Sequence, residues 1–169
     1  MPRVSDRRKI LPRDELAAVL AEARAGGARV VLCNGVFDLL HVGHVRVLRA
    51  ARGEGDLLVV ALNDDASTRR LKGVGRPLQP AAERAEILSA LACVDYVTWF
   101  AEDTVAATLR ALRPAVHAKG GDYDPERIPD DERRTAAELG IRLALVGGAK
   151  VRSSSRLAEL LAAAGRSRP

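Results

Sequence analysis

Five short strand-like runs recur along this chain, each followed by a segment of helical periodicity, and that alternation restricts the fold more than any other feature. The runs are Arg29 to Cys33, Asp56 to Leu62, Val94 to Phe100, Ala115 to Ala118 and Ile141 to Val146. The second is apolar without interruption from Leu57 to Leu62, the pattern of a strand buried on both faces. Helical spacing marks residues 12–25, 42–52, 66–71, 81–91, 104–112 and 130–139, with a last helix from about Ser154 to Ala164. Gly26-Gly27, Gly53 and Gly55 stop the first two of these, as glycines do at helix ends. Short connections between alternating strands and helices predict an α/β fold, a Rossmann-like, doubly wound, five-stranded parallel sheet with helices on both faces. At 169 residues the chain fits one domain, 1–169, with an N-terminal helix over 12–25 and a core over 28–164.

Composition narrows the function classes. An apolar content of 47% with only 3% aromatic residues suits helices packed on a buried sheet. Cys33 and Cys93 are the only cysteines, too few for a disulfide framework or a four-cysteine zinc site, and they read as small packing residues. No run of about 18 apolar residues occurs, and the N-terminus lacks a secretory apolar stretch, so the expectation is a soluble, cytoplasmic protein with no membrane partner. The net charge of +5 raises nucleic-acid binding. The 23 arginines, however, are dispersed among 22 acidic residues with few aromatics to stack on bases, and no nucleic-acid partner is expected.

The segment Cys33-Asn34-Gly35-Val36-Phe37-Asp38-Leu39-Leu40-His41-Val42-Gly43-His44 runs from the first strand through a glycine-bearing turn into a helix. Free N–H groups and the positive end of the helix dipole favour an anion at such a turn. Imidazoles at i and i+3 face one side of the first helical turn, so His41 and His44 can reach one ligand. In a parallel sheet, Asn34 to His44, Asn63 to Lys72, Lys119 to Tyr123 and Lys150 to Ser155 all follow carboxyl ends of strands, where such folds bind ligands. Histidines, cations, serine hydroxyls and glycine-rich backbone are the inventory for a nucleoside triphosphate. The chain lacks the P-loop lysine motif, the dinucleotide Gly-x-Gly-x-x-Gly fingerprint and a Gly-x-Ser-x-Gly nucleophile elbow. Chemistry by positioning and charge stabilisation is therefore the expectation. His117 reads as a core residue of a buried strand, Asp64-Asp65 as a helix cap rather than a metal pair, and Lys150 as a surface charge.

The element His41-Val42-Gly43-His44, preceded by Gly35-Val36-Phe37-Asp38 and followed by Ser153-Ser154-Ser155, resembles the paired signatures of the cytidylyltransferase-like nucleotidyltransferases. Those enzymes join a phosphorylated acceptor to a nucleoside monophosphate and release pyrophosphate. Leu62 to Gly73, Arg76-Pro77, Glu83-Arg84 and Lys119-Gly120-Gly121-Asp122-Tyr123 resemble more narrowly the branch that adenylylates D-glycero-D-manno-heptose 1-phosphate to ADP-heptose. The resemblance runs from about Lys9 to Leu161, and where the family has serine and two threonines this chain has three serines.

The resemblance implies ATP and a phosphorylated sugar as substrates, with Mg²⁺ held mainly by phosphate oxygens rather than by protein ligands. It casts His41, His44 and Lys72 as catalytic, the histidines donating to the triphosphate and its transition state, with Gly43 beside them. Backbone contacts to nucleotide would come from Asn34, Gly35, Val36 and Phe37, and Arg84 would meet the β- and γ-phosphates. Lys119, Gly120 and Asp122 would serve the nucleoside, while Ser153, Ser154 and Ser155 would cap the last helix and hold pyrophosphate. Asp38, Asn63, Lys72 and Arg76 would meet the acceptor. An assembly of at least two copies is expected. The alternatives are another phosphorylated acceptor, such as glycerol 3-phosphate with CTP, or flavin mononucleotide, and a nucleotide-binding regulatory protein without turnover.

Overall fold

In the computed structural model the described residues are 9–121, 123–148, 157, 158 and 163. Helix α1 (Arg13–Ala25) precedes strand β1 (Val30–Gly35), and α2 (Val42–Arg52) leads to β2 (Leu57–Asn63). Two helices follow, α3 (Asp65–Lys72) and α4 (Ala81–Ser89), before β3 (Tyr96–Phe100). Then come α5 (Ala106–Leu112), β4 (Val116–Gly120), a short 3₁₀ turn over Pro125–Arg127, α6 (Asp130–Leu139) and β5 (Arg142–Val146). The expected elements are present among the described residues. The helix expected from Ser154 to Ala164 lies almost wholly outside them.

All strand pairs are parallel and the order is β3-β2-β1-β4-β5. The chain therefore reverses its direction of winding between β1 and β4, and the crevice at their carboxyl ends is the switch point. Register sets Gly35 opposite Leu62 and Gly120 opposite Val146, so the strand ends form one rim.

Alternation along the strands builds two cores. Val31, Cys33, Val60, Leu62, Val97 and Ala118 pack with Leu48 of α2 and Leu88 of α4. Val30, Leu32, Val59, Ala61 and Phe100 pack with Leu16 and Leu20 of α1 and Leu109 of α5. Successive residues of a strand point to opposite faces, so an unbroken apolar run requires a helical layer on each side. Cys33 is a packing residue, its thiol pushed up to about 11 chiefly by burial.

Helix α2, which carries the histidines, is pinned at close range. Gly147 has φ +85°, and a methyl there would lie 2.7 Å from Val47 Cγ2 and 2.9 Å from its Cα. Only glycine lets the chain leave β5 in a left-handed conformation against the backbone of α2.

Candidate active site

Between β1 and α2 the chain turns sharply. Phe37 adopts φ 50°, a conformation costly for a bulky residue and found where the surroundings impose it. Its buried ring explains the glycine two positions earlier, because a methyl on Gly35 would meet Phe37 Cε2 at 3.1 Å. The same ring lies 5.1 Å from that of His44.

His41 is the N-cap of α2, its Nδ1 accepting the backbone N–H of Gly43 at 3.1 Å. A neutral imidazole that accepts at Nδ1 carries its proton at Nε2. The two rings stack, with centroids 3.9 Å apart and planes inclined by 20°, so the i,i+3 spacing does bring both to one side of the helix start. Burial first, and His41 second, push the pKa of His44 down to about 4. At neutral pH His44 is an uncharged donor rather than a cation. Its Nδ1 is buried without a partner among the described residues. An orphaned buried nitrogen costs on the order of 1–3 kcal/mol and calls for a functional explanation.

At the switch point the polar side chains form one network. Lys119, near the end of β4, donates to Asn34 Oδ1 at 3.0 Å and to Glu132 Oε2 at 3.0 Å. His117 Nε2 lies 2.9 Å from the same Asn34 oxygen, which fixes the proton on Nε2 because that oxygen only accepts. Burial and then Lys119 lower the His117 pKa to about 3. Glu132 Oε1 accepts the Val105 N–H at 3.1 Å. His117 is thus a core residue, as expected, but one tied to the site through Asn34.

Several expected ligands have other tasks. Arg84 was expected to meet phosphate. It is instead buried with its guanidinium closed off from solvent, donating to Val36 O at 2.6 Å, Asn63 O at 2.9 Å, Gln79 O at 2.9 Å and Asp65 Oδ1 at 2.7 Å. Four of its five N–H groups are consumed in joining the ends of β1 and β2 to the start of α4. Asp38 and Arg76, both expected to meet the acceptor, bind each other at 2.5 Å. Asp38 also accepts the backbone N–H groups of Leu78 and Gln79 at 2.7 and 3.2 Å, which staples the loop between α3 and α4 to the turn after β1. Asn63 is buried and turns its amide to Ser67 Oγ at 3.3 Å rather than to an acceptor. Asp64 caps α3 through Ser67 N–H at 2.6 Å, as the cap reading expects.

Lys72 ends α3, is exposed, and makes no hydrogen bond or ion pair with the described residues. Gly43 lies in the first turn of α2 and Gly120 closes β4. Asp122 and Ser153, Ser154 and Ser155 lie outside the described residues. The sequence reading missed Glu132. It is one of three acidic residues in the first turn of α6, and nothing local distinguishes it from its solvent-facing neighbours.

A 3-2-1-4-5 parallel sheet with two stacked imidazoles at the start of the helix beside its switch point defines an α/β domain of the nucleotidyltransferase class. The chain belongs to the cytidylyltransferase-like family, which residues 32–152 match. Curated relatives include the "Bifunctional protein HldE" of Alkalilimnicola ehrlichii, 54% identical over 72% of this chain and 25% of that protein. The proteins of the same name from Geotalea uraniireducens and Geobacter sulfurreducens are each 50% identical over 89% of this chain and 30% of theirs. The chain therefore spans about a quarter to a third of the length of these relatives. Among solved structures, the lipopolysaccharide core biosynthesis protein from Thermoplasma volcanium matches with a TM-score of 0.62 at 28% identity, over 75% of this chain and all of that one. Among the described residues no helix is long and apolar enough to cross a membrane.

Proposed function

We propose that this chain transfers AMP from ATP to D-glycero-D-manno-heptose 1-phosphate, giving ADP-heptose and pyrophosphate. The observation that carries the reading is the stacked His41–His44 pair at the N-terminus of α2, beside the β1/β4 switch point. The likeness to the bifunctional HldE proteins supports the heptose phosphate as acceptor.

An acceptor phosphate oxygen forms a bond to the α-phosphorus of ATP while the bond from that phosphorus to the β-bridging oxygen breaks, and the electron pair leaves with pyrophosphate. No protein nucleophile is required. The residues position the two phosphates and meet the charge that develops between them. His41 donates from Nε2, because its Nδ1 is spent on Gly43. His44, neutral at pH 7, adds a second directional donor, and exposed Lys72 supplies a mobile cation to the acceptor phosphate. Lys119 and Asn34 serve the nucleoside with Asp122, and Ser153, Ser154 and Ser155 hold pyrophosphate. Arg84, Asp38 and Arg76 act through the backbone they hold.

The described residues contain no cluster of three metal-ligating side chains, and Asp38 and Asp65 are committed to Arg76 and Arg84. They do not form an oxygen cage for Mg²⁺, which is assigned to the triphosphate that carries it.

A pyrophosphate-release screen tests the reading by crossing the four nucleoside triphosphates with sugar, polyol and flavin phosphates. The expected optimum is ATP with the heptose 1-phosphate. Turnover with CTP and glycerol 3-phosphate, and none with ATP and the heptose phosphate, would overturn it.

A further inference from the structure

Glu132 is a carboxylate held almost entirely away from water, on a helix that contributes no other residue to the network at the switch point. Its side chain is 4% exposed, against 6% for Lys119. Burying a charge pair is costly unless its geometry and remaining hydrogen bonds are satisfied. Here they are satisfied on both sides. One carboxylate oxygen takes the ammonium of Lys119 and the other takes the Val105 N–H ahead of α5. Glu132 therefore ties α6, the entry to α5 and the end of β4 together at one point.

The ammonium has three N–H groups. Glu132 takes one and Asn34 Oδ1 a second, which leaves the third unassigned. The ring of Tyr123, centred 5.1 Å away, closes another side of the nitrogen. Lys119 is thus a fixed donor rather than a swinging cation, and with Glu132 beside it the pair carries no net charge. Asn34 is fixed by the same arrangement. With Lys119 and His117 both on its oxygen, the amide NH₂ is the group it has left to offer. Fixed, directional donors whose charge is balanced locally suit the polar edge of a base or ribose better than a triphosphate.

We propose that Glu132 is a positioning residue of the nucleotide site: it fixes Lys119, and through Lys119 the Asn34 amide, in the geometry that receives the nucleoside. The inference rests on the nucleotidyltransferase reading given above. It concerns affinity for nucleotide, so the phosphate chemistry at the histidines is unaffected by it.

The test is a double-mutant cycle on ATP affinity, measured by calorimetry, with thermal melting in parallel. Glu132→Gln and Lys119→Met are each expected to weaken ATP binding by about tenfold or more, the size of losing one hydrogen bond that involves a charged group. The double variant is expected to bind no more weakly than Lys119→Met alone, because both substitutions remove one interaction. In steady state, Glu132→Gln should raise KM for ATP with kcat within about twofold of wild type. A purely structural Glu132 would lower the melting temperature and leave KM unmoved. If Glu132→Gln does not fold, the double variant, neutral at both positions, decides alone: wild-type ATP affinity in it overturns the proposal. Independent, multiplying effects of the two substitutions would also overturn it. A wild-type protein that binds ATP while Glu132→Gln binds it equally well refutes the positioning role and leaves the enzymatic reading standing; a wild-type protein that binds no nucleotide refutes both.

Discussion

Replacing His117 with glutamine should flatten the acid side of the stability profile by an amount the structure fixes. The ring is 1% exposed and hydrogen-bonded to Asn34, and burial with Lys119 nearby holds its pKa at about 3. An unfolded histidine titrates near 6.5. Between those values the unfolded chain takes up a proton that the native state refuses. The folded value is the lower one, so this contribution to stability is complete above pH 6.5 and is lost as pH falls from there toward 3. Linkage gives a slope of up to ~1.4 kcal/mol per pH unit, or about 2 kcal/mol between pH 7 and pH 5. Glutamine has no proton to take up, yet still offers an N–H toward Asn34. Urea unfolding at pH 7, 6 and 5 should therefore show the His117→Gln protein losing about 2 kcal/mol less than wild type over that interval, whatever its stability at pH 7. His44, held at about 4, produces a loss of the same sign in both proteins and cancels in the difference. Parallel profiles for the two proteins would refute the claim that His117 is buried neutral.

The remaining predictions concern the site itself. His44→Ala should lower pyrophosphate release by about 10²- to 10³-fold, the loss expected for one preorganised donor, with a melting temperature close to wild type; unchanged turnover would remove His44 from the chemistry. Arg84→Lys should cost about 3 kcal/mol in urea unfolding, because a single ammonium cannot replace the fork that serves three carbonyls at about 1 kcal/mol each. A phosphate-binding Arg84 predicts the opposite result, unaltered stability with a raised KM for ATP.

The strands and helices were legible because their codes are local: Leu57 to Leu62 is a buried strand by composition alone, and the glycines after α1 and α2 mark where those helices stop. The strand order was not legible, since nothing local says that β1 lies between β2 and β4. The histidine pair was legible as geometry, because i,i+3 spacing on a helix brings two rings to one side. Its ionisation was not. The neutrality of His44 comes from burial and from His41, and the burial depends on where the strained turn at Phe37 sets its ring.

The charged residues show the deeper reason. Asp38 and Lys119 lie at or just after strand ends and Arg76 and Arg84 in the segment between β2 and β3, and a charged residue in such a segment reads naturally as a ligand to substrate. Strand ends, however, also leave backbone groups without ladder partners, and a buried carbonyl must be satisfied as surely as a ligand must. The carbonyls of Val36, Asn63 and Gln79 converge from the turn after β1, the end of β2 and the loop before α4, and arginine alone among side chains has enough fixed donors to serve all three and still pair with Asp65. Their sequence separations from Arg84 are 48, 21 and 5 residues, so the demand exists only once the sheet has assembled. Asp38 meets the same kind of demand from Leu78 and Gln79 N–H, 40 and 41 residues away. The cations and carboxylates of this site are therefore divided between those that hold its loops and those left for ligand. Lys72, exposed at the end of α3, is among the described cations that the scaffold has not claimed.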